Sequence, residues 1–235
     1  MSFDASVARR MRDVTLGDEE HAVAFLRAWA GEGPALELAI GTGRIALPLA
    51  ATGIRVDGID ISPHVIGQMR TKPGGDRIDA TVGDMADVPV SGEYRLIYVW
   101  NSFSNMLKVD DQGRCFENVA KRLAPDGVFV IEMGSPSELV GMQENQYVRA
   151  EHVGVDRVGI DVLRYDPATQ MLDENHVRIS AAGAKFYPVM QRATWPSELD
   201  LMARIAGLRL RERYGDWDGT AWTSSSRTVV SVYGR

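Results

Sequence analysis

The chain has 235 residues, of which 45% are apolar and 25% charged; 23 glycines and 10 prolines without a repeat make it neither fibrous nor disordered. A net charge of −6 opposes the phosphate neutralisation on which nucleic-acid affinity depends, and no block of Lys and Arg stands out. The lone Cys115 excludes an internal disulfide, and no apolar run reaches the ~20 residues of a membrane span. With Asp4, Asp13, Asp18, Glu19 and Glu20 breaking up the first thirty residues, cytoplasm is the expected compartment and a small molecule the expected partner.

From Pro34 to Met133, short apolar runs alternate with amphipathic stretches, the pattern of a parallel sheet covered by helices. Ala35–Ile40 is the first strand, and Gly41-Thr42-Gly43 turns it into a helix over about Arg44–Thr52. Arg55–Asp60 follows as a strand, then Ser62 and Pro63 as N-cap and first residue of a helix that Pro73-Gly74-Gly75 stops. Ile78–Val82 and Tyr94–Trp100 are further strands, a helix resumes near Asp110, and Pro125-Asp126-Gly127 turns into Val128–Met133. Beyond Gly134 the helical period is lost. Residues 145–194 are expected to form an antiparallel insertion, with Asp166-Pro167-Ala168-Thr169 as its clearest hairpin turn. Pro196 opens a last helix, Gly207 ends it, and Arg209–Tyr214 and Arg227–Tyr233 close the sheet. The core is thus expected over 35–134 and 195–235, preceded by a helical segment, 1–34, that covers the ligand site.

Glu37–Gly43 (ELAIGTG) lies between a strand and a helix. Gly41 and Gly43 permit close backbone approach, and the helix start offers unpaired N–H groups. Asp60 ends the next strand, where a carboxylate can accept two ribose hydroxyls, and Asp84 ends the one after. A tight βα turn is the plainer reading of the glycines alone, but polar residues at successive strand ends are what a site at the topological switch point requires.

These segments resemble the class I S-adenosylmethionine-dependent methyltransferases. ELAIGTG stands where their first motif stands, GID (Gly58–Asp60) as the ribose acid, GDM (Gly83–Met85) as the adenine turn and RLAPDGVFVIE (Arg122–Glu132) as the strand behind the fourth helix. The resemblance spans Leu36–Glu132 and, more weakly, extends to WPSELDLMARIAGL and the final strand, which look like small-molecule members from actinobacteria. It implies a doubly wound, mostly parallel seven-stranded sheet of Rossmann-like type, S-adenosyl-L-methionine as cofactor, and contacts to it from Glu37, Ala39, Gly41, Thr42, Gly43, Asp60, Ile61, Asp84, Met85, Trp100 and Asn101. Ala39 departs from the glycine many relatives carry there. The same residues satisfy a nicotinamide-dinucleotide pattern, Gly41-x-Gly43-x-x-Ala46; Glu37 argues against it, because an acid suits a methionine ammonium and not a pyrophosphate. A cofactor-binding protein without catalysis is the third reading.

On the acceptor side, Ser102, Phe103, Asn105 and Tyr187 are candidate substrate contacts, with a polar capping loop or core packing as their alternative roles. A hydroxyl acceptor needs a base, for which His152, His176 and Glu132 are the candidates; an amine needs only to be deprotonated. No Cys/His/Asp/Glu spacing matches a structural zinc pattern, so no metal is expected. The insertion is expected to act as a substrate lid, and its edges could also pair with a second copy of the chain.

Overall fold

Helix α1 (Glu19–Ala30) leads into a sheet built from β1 (Ala35–Leu38), β2 (Val56–Asp60), β3 (Asp79–Val82), β4 (Tyr94–Trp100) and β5 (Leu123–Gly134), all parallel. The computed structural model describes residues 17–235, so the part of the expected covering segment before Gly17 lies outside the described residues. Between the strands run α2 (Ala46–Ala51), α3 (Pro63–Arg70) and α4 (Val109–Arg122). Strands β1 and β4 are buried almost end to end, as strands covered on both faces must be. Helix α2 begins two residues later than its pattern suggests, because Gly41 (φ 58°) and Gly43 (φ 76°) hold the chain in the left-handed region. Strand β5 reaches back to Leu123, which pairs with Tyr94 before the register jumps to Leu96 opposite Val128. Gly127 sits in that irregularity, where a β-carbon would come 2.8 Å from the Tyr94 carbonyl oxygen.

Two helix layers cover the sheet. On one face α4 and α5 (Pro196–Ile205) pack on Leu38, Ile97, Val99, Phe129 and Ile131. There the Phe116 ring meets Phe103, Phe129 and Tyr233 edge-on at 5.3–5.8 Å between centroids. Cys115 is fully enclosed in this layer, and desolvation pushes its thiol far up. On the other face α1, α2 and α3 pack over Ile40, Tyr98, Trp100 and Val130. Antiparallel β11 (Thr228–Gly234) fits between β5 and β10 (Arg209–Tyr214), giving the order β10-β11-β5-β4-β1-β2-β3, the expected seven-stranded doubly wound architecture.

The insertion is a separate four-stranded antiparallel sheet, β6 (Gln146–Val153), β7 (Arg157–Asp166), β8 (Met171–Ser180) and β9 (Gly183–Arg192), in sequence order. Asp166 makes the β7–β8 turn by accepting from the Ala168 N–H and Thr169 hydroxyl. The joint to the large sheet is a buried polar network at the end of β9. Arg192 donates to Gln112 Oε1 (3.0 Å) on α4, to Gln170 Oε1 (2.5 Å) and to Glu198 Oε1 (2.7 Å) on α5. The guanidinium is almost wholly buried and is satisfied on both sides. One face of the small sheet carries Leu163, Tyr165, Leu172 and Asp161; the other leaves Val148, Val162, Ile179 and Phe186 open to solvent. No helix among the described residues is long and apolar enough to cross a membrane.

Candidate cofactor and acceptor site

The carboxyl ends of β1, β2, β4 and β5 converge where the strand order reverses, between β1 and β4. Backbone strain collects there: Ala39 after β1 (φ 55°) and Asn101 after β4 (φ 50°) are both left-handed without being glycine. Each costs of order 1–3 kcal/mol, which marks the two loops as held in a shape they would not choose. Gly43 closes the turn tightly, since a β-carbon would lie 2.9 Å from both Leu47 Cγ and Met69 Cγ.

Asp60 organises the glycine turn. Its Oδ2 accepts from the Gly41 N–H and its Oδ1 from the Ser62 N–H, both at 2.9 Å. Each oxygen therefore keeps a second lone pair, so the partly buried carboxylate can still receive two vicinal hydroxyls. Burial raises its pKa while the two N–H bonds oppose the rise. This donor set fits the ribose of the expected cofactor.

Glu37 is buried and accepts from the Tyr98 hydroxyl at 3.0 Å. Desolvation raises its pKa to about 8 against the opposing bonds from Tyr98 and the Ala46 backbone, so at neutral pH it is largely a carboxylic acid that ties β1, β4 and the start of α2 together. Glu132, at the end of β5, is buried too. It accepts from the Asn101 N–H at 2.8 Å, and desolvation lifts it to about 8, with Asp18 and Asp216 pushing the same way and Arg44 opposing. Desolvation, partly opposed by a backbone hydrogen bond, also raises Asp18, and one of its carboxylate oxygens is buried without a hydrogen-bond partner. Among the described residues, Arg44 is the cation that acts on Glu132 and Asp18. Its guanidinium lies 4.0 Å from the Trp100 ring centroid and 3.9 Å from Glu19. Arg44, Asp18 and Asp216 are the residues that sequence reasoning missed. A signal was present for Arg44, because a cation beside a helix N-terminus runs against the helix dipole and calls for a reason.

The other candidates are distributed as follows. Gly41, Thr42 and Gly43 are buried in the turn, and the Thr42 carbonyl accepts from Lys72 Nζ at 2.8 Å. Ile61 is exposed beside Asp60. Asp84 accepts from the Ala86 N–H at 2.8 Å, and Met85 packs partly buried on the α4-side core. Asn101 is exposed at the edge, and Ser102 and Asn105 are half-buried. Phe103 has no exposed surface; its ring supports this loop from inside the core instead of lining the crevice. Tyr187 stands on β9 with its ring 5.6 Å from the Arg178 guanidinium. Both candidate histidines stand in the small sheet. His152 is exposed near the β6–β7 turn, and His176 bonds through Nδ1 to Asp161 Oδ1 at 2.5 Å within the small sheet.

Residues 35–127 match the family described as a methyltransferase domain. The CcbJ methyltransferase of Streptomyces caelestis superposes with a TM-score of 0.88 at 30% identity, over 94% of this chain and 96% of its own. Cypemycin N-terminal methyltransferase of a Streptomyces species is 25% identical over 203 residues, 85% of this chain and 82% of the relative. The fold is also that of CalS10, solved with S-adenosylmethionine bound and described as an amino pentose methyltransferase from Micromonospora echinaspora (TM-score 0.70, 20% identity, 99% and 98% coverage).

Proposed function

The chain belongs to the class I S-adenosylmethionine-dependent methyltransferases, an enzyme family, and we propose that it methylates an amine nitrogen of a small polar metabolite such as an amino sugar or a natural-product intermediate. The observation that carries this reading is the acid cluster at the edge, where Asp18 and Asp216 act on the buried Glu132 and on each other. An amine arriving as an ammonium is attracted by such a cluster and then needs only to lose a proton, whereas a hydroxyl needs a base aligned on it. The description of the cypemycin relative as an N-terminal methyltransferase and of CalS10 as an amino pentose methyltransferase supports nitrogen over oxygen.

When bound, S-adenosylmethionine supplies a methyl group already activated on a sulfonium, so the protein's task is binding, alignment and exclusion of water. Asp60 holds the ribose diol, Asp84 and Met85 flank the adenine, and the Gly41–Gly43 turn lets the backbone approach. Arg44, stacked on Trp100, is placed to neutralise a carboxylate. Glu132 fixes the Asn101 loop by accepting its N–H, and Asp18 and Asp216 draw the acceptor ammonium to the edge. A proton then leaves the nitrogen before attack, which solvent can accept without a dedicated base. The small sheet acts as the lid over the acceptor.

A panel of primary amines, amino sugars and matched hydroxy sugars, assayed by release of S-adenosylhomocysteine, tests the reading. Turnover should be confined to amines, should rise with pH through the acceptor's own pKa, and should survive His152→Ala and His176→Ala within about tenfold. Transfer to a hydroxyl that collapses in either histidine variant would overturn it.

A further inference from the structure

Sequence spacing gave no reason to look for a metal, because the residues concerned come from three strands. Among the described residues, Glu151, Asp161 and His176 bring one ligand atom each to within 4.8 Å of one another. We propose that these three side chains form a site for one divalent transition-metal ion of borderline hardness, zinc being the probe, which staples β6, β7 and β8.

The register builds the site deliberately. Asp161 and His176 stand directly opposite each other on β7 and β8, with Nδ1 2.5 Å from Oδ1. The third ligand comes from β6, where Arg149 pairs with Asp161 and Glu151 follows two residues on. The β6–β7 pairing slips by one residue between Ala150 and His152, leaving Glu151 as the bulged residue, and its Oε2 ends 4.0 Å from Nδ1. The residue across from the bulge is Gly159; a β-carbon there would sit 3.4 Å from Glu151 Oε2 and 3.4 Å from His152 Cβ. The glycine leaves the carboxylate room.

The donor chemistry fits. Bonds of about 2.0–2.2 Å at tetrahedral angles put zinc ligands about 3.3 Å apart, so the 2.5 Å and 4.0 Å separations straddle the required value. An imidazole nitrogen and two carboxylates satisfy three positions and leave the fourth to water. On the far side of the ring Glu174 Oε2 lies 3.7 Å from Nε2, where a carboxylate orients a metal-bound histidine and fixes its tautomer. The Asp161 side chain is only 8% exposed, and a carboxylate so enclosed demands positive charge. Arg149 supplies it only at 3.9 Å from Oδ2, through a side chain 54% exposed to water. An ion between the ligands would supply it directly, in place of the contact between His176 and Asp161. The site concerns the architecture of the small sheet and does not depend on which atom is methylated.

The test is zinc titration of the chelator-stripped full chain by calorimetry, with cobalt substitution read by visible absorption. One ion per chain, a rise in Tm, and the absorption of cobalt bound by nitrogen and oxygen are expected. His176→Ala and Glu151→Gln should each weaken zinc binding at least about tenfold, and His152→Ala should not. No bound ion at about 100 μM zinc, equal affinity in His176→Ala, or loss in His152→Ala alone would overturn the site. Because the wild-type titration and cobalt spectrum stand by themselves, a variant that fails to fold does not rescue the proposal. Binding of S-adenosylhomocysteine should be unchanged throughout, so failure of the metal site leaves the methyl-transfer reading standing.

Discussion

The two sheets of this molecule solve the burial of β structure in opposite ways. The large sheet hides both faces of its central strands under helices, so β1 and β4 are buried nearly end to end and the acids Glu37, Asp60 and Glu132 gather toward the carboxyl edge. The small sheet packs one face on Leu139 and Met142 and leaves the other, with Phe186 at 63% exposure, to solvent, so its strands alternate. Rigidity is concentrated in the first, where the strained loops at Ala39 and Asn101 need a scaffold that overrules them. Adaptability falls to the second, which meets α4 and α5 through the buried joint at Arg192.

The sharpest way to break this contrast is at Phe116, whose ring contacts three aromatic rings at the centre of the large sheet's cover. Phe116→Ala should cost about 3–5 kcal/mol in urea unfolding. A loss below about 1 kcal/mol would mean that this layer is not the rigid region described. At the strand ends the effect should fall on ligand affinity. Asp60→Ala removes the acceptor for the ribose hydroxyls, and calorimetry with S-adenosylhomocysteine should show binding weaker by about 1–3 kcal/mol. Unchanged affinity would remove Asp60 from the site.

A smaller effect distinguishes the buried edge acids by pH. Glu132 is pushed to about 8 in the fold from an ordinary 4.5, so the folded chain retains a proton that the unfolded chain has released. Its contribution to stability is complete below about 4.5 and is lost as pH rises through about 8. Wild-type urea midpoints should therefore decline between pH 5 and pH 8 more steeply than those of Glu132→Gln, with Glu37 adding the same slope to both. Parallel curves would show that Glu132 is not held protonated. The smallest effect belongs to the open face: Phe186→Ser should change stability by no more than about 0.5 kcal/mol. A loss of about 2 kcal/mol or more, dependent on protein concentration, would show that another copy of the chain covers it.

The contrast also explains what the sequence made readable. The runs of the large sheet are short, apolar and closed by glycine or aspartate, so Gly41, Gly43, Asp60 and Asp84 could be placed at strand ends from their neighbours alone. Alternation in the insertion identified its antiparallel character and the Asp166 turn. The gathering of Glu151, Asp161 and His176 was hidden, because it depends on the pairing register of three strands that no local signal announces. Asp18 and Asp216 were equally opaque; they lie almost two hundred residues apart and meet only through the packing of the chain ends over β5. Phe103 looked like a pocket residue because it follows a strand end, yet a phenyl ring next to the core is more stable inside it.

Cys115, the chain's single thiol, is sealed within the α4 layer and holds its proton far above neutral pH. Thiolate is the form that maleimides and disulfide reagents attack, so the native chain should be inert to them. It is accordingly a ready background for site-directed labelling: a cysteine introduced at fully exposed Val155, at the tip of the small sheet, would be the sole reactive position. A fluorophore there would report through its anisotropy and quenching how far, and how fast, that sheet moves as cofactor and acceptor arrive.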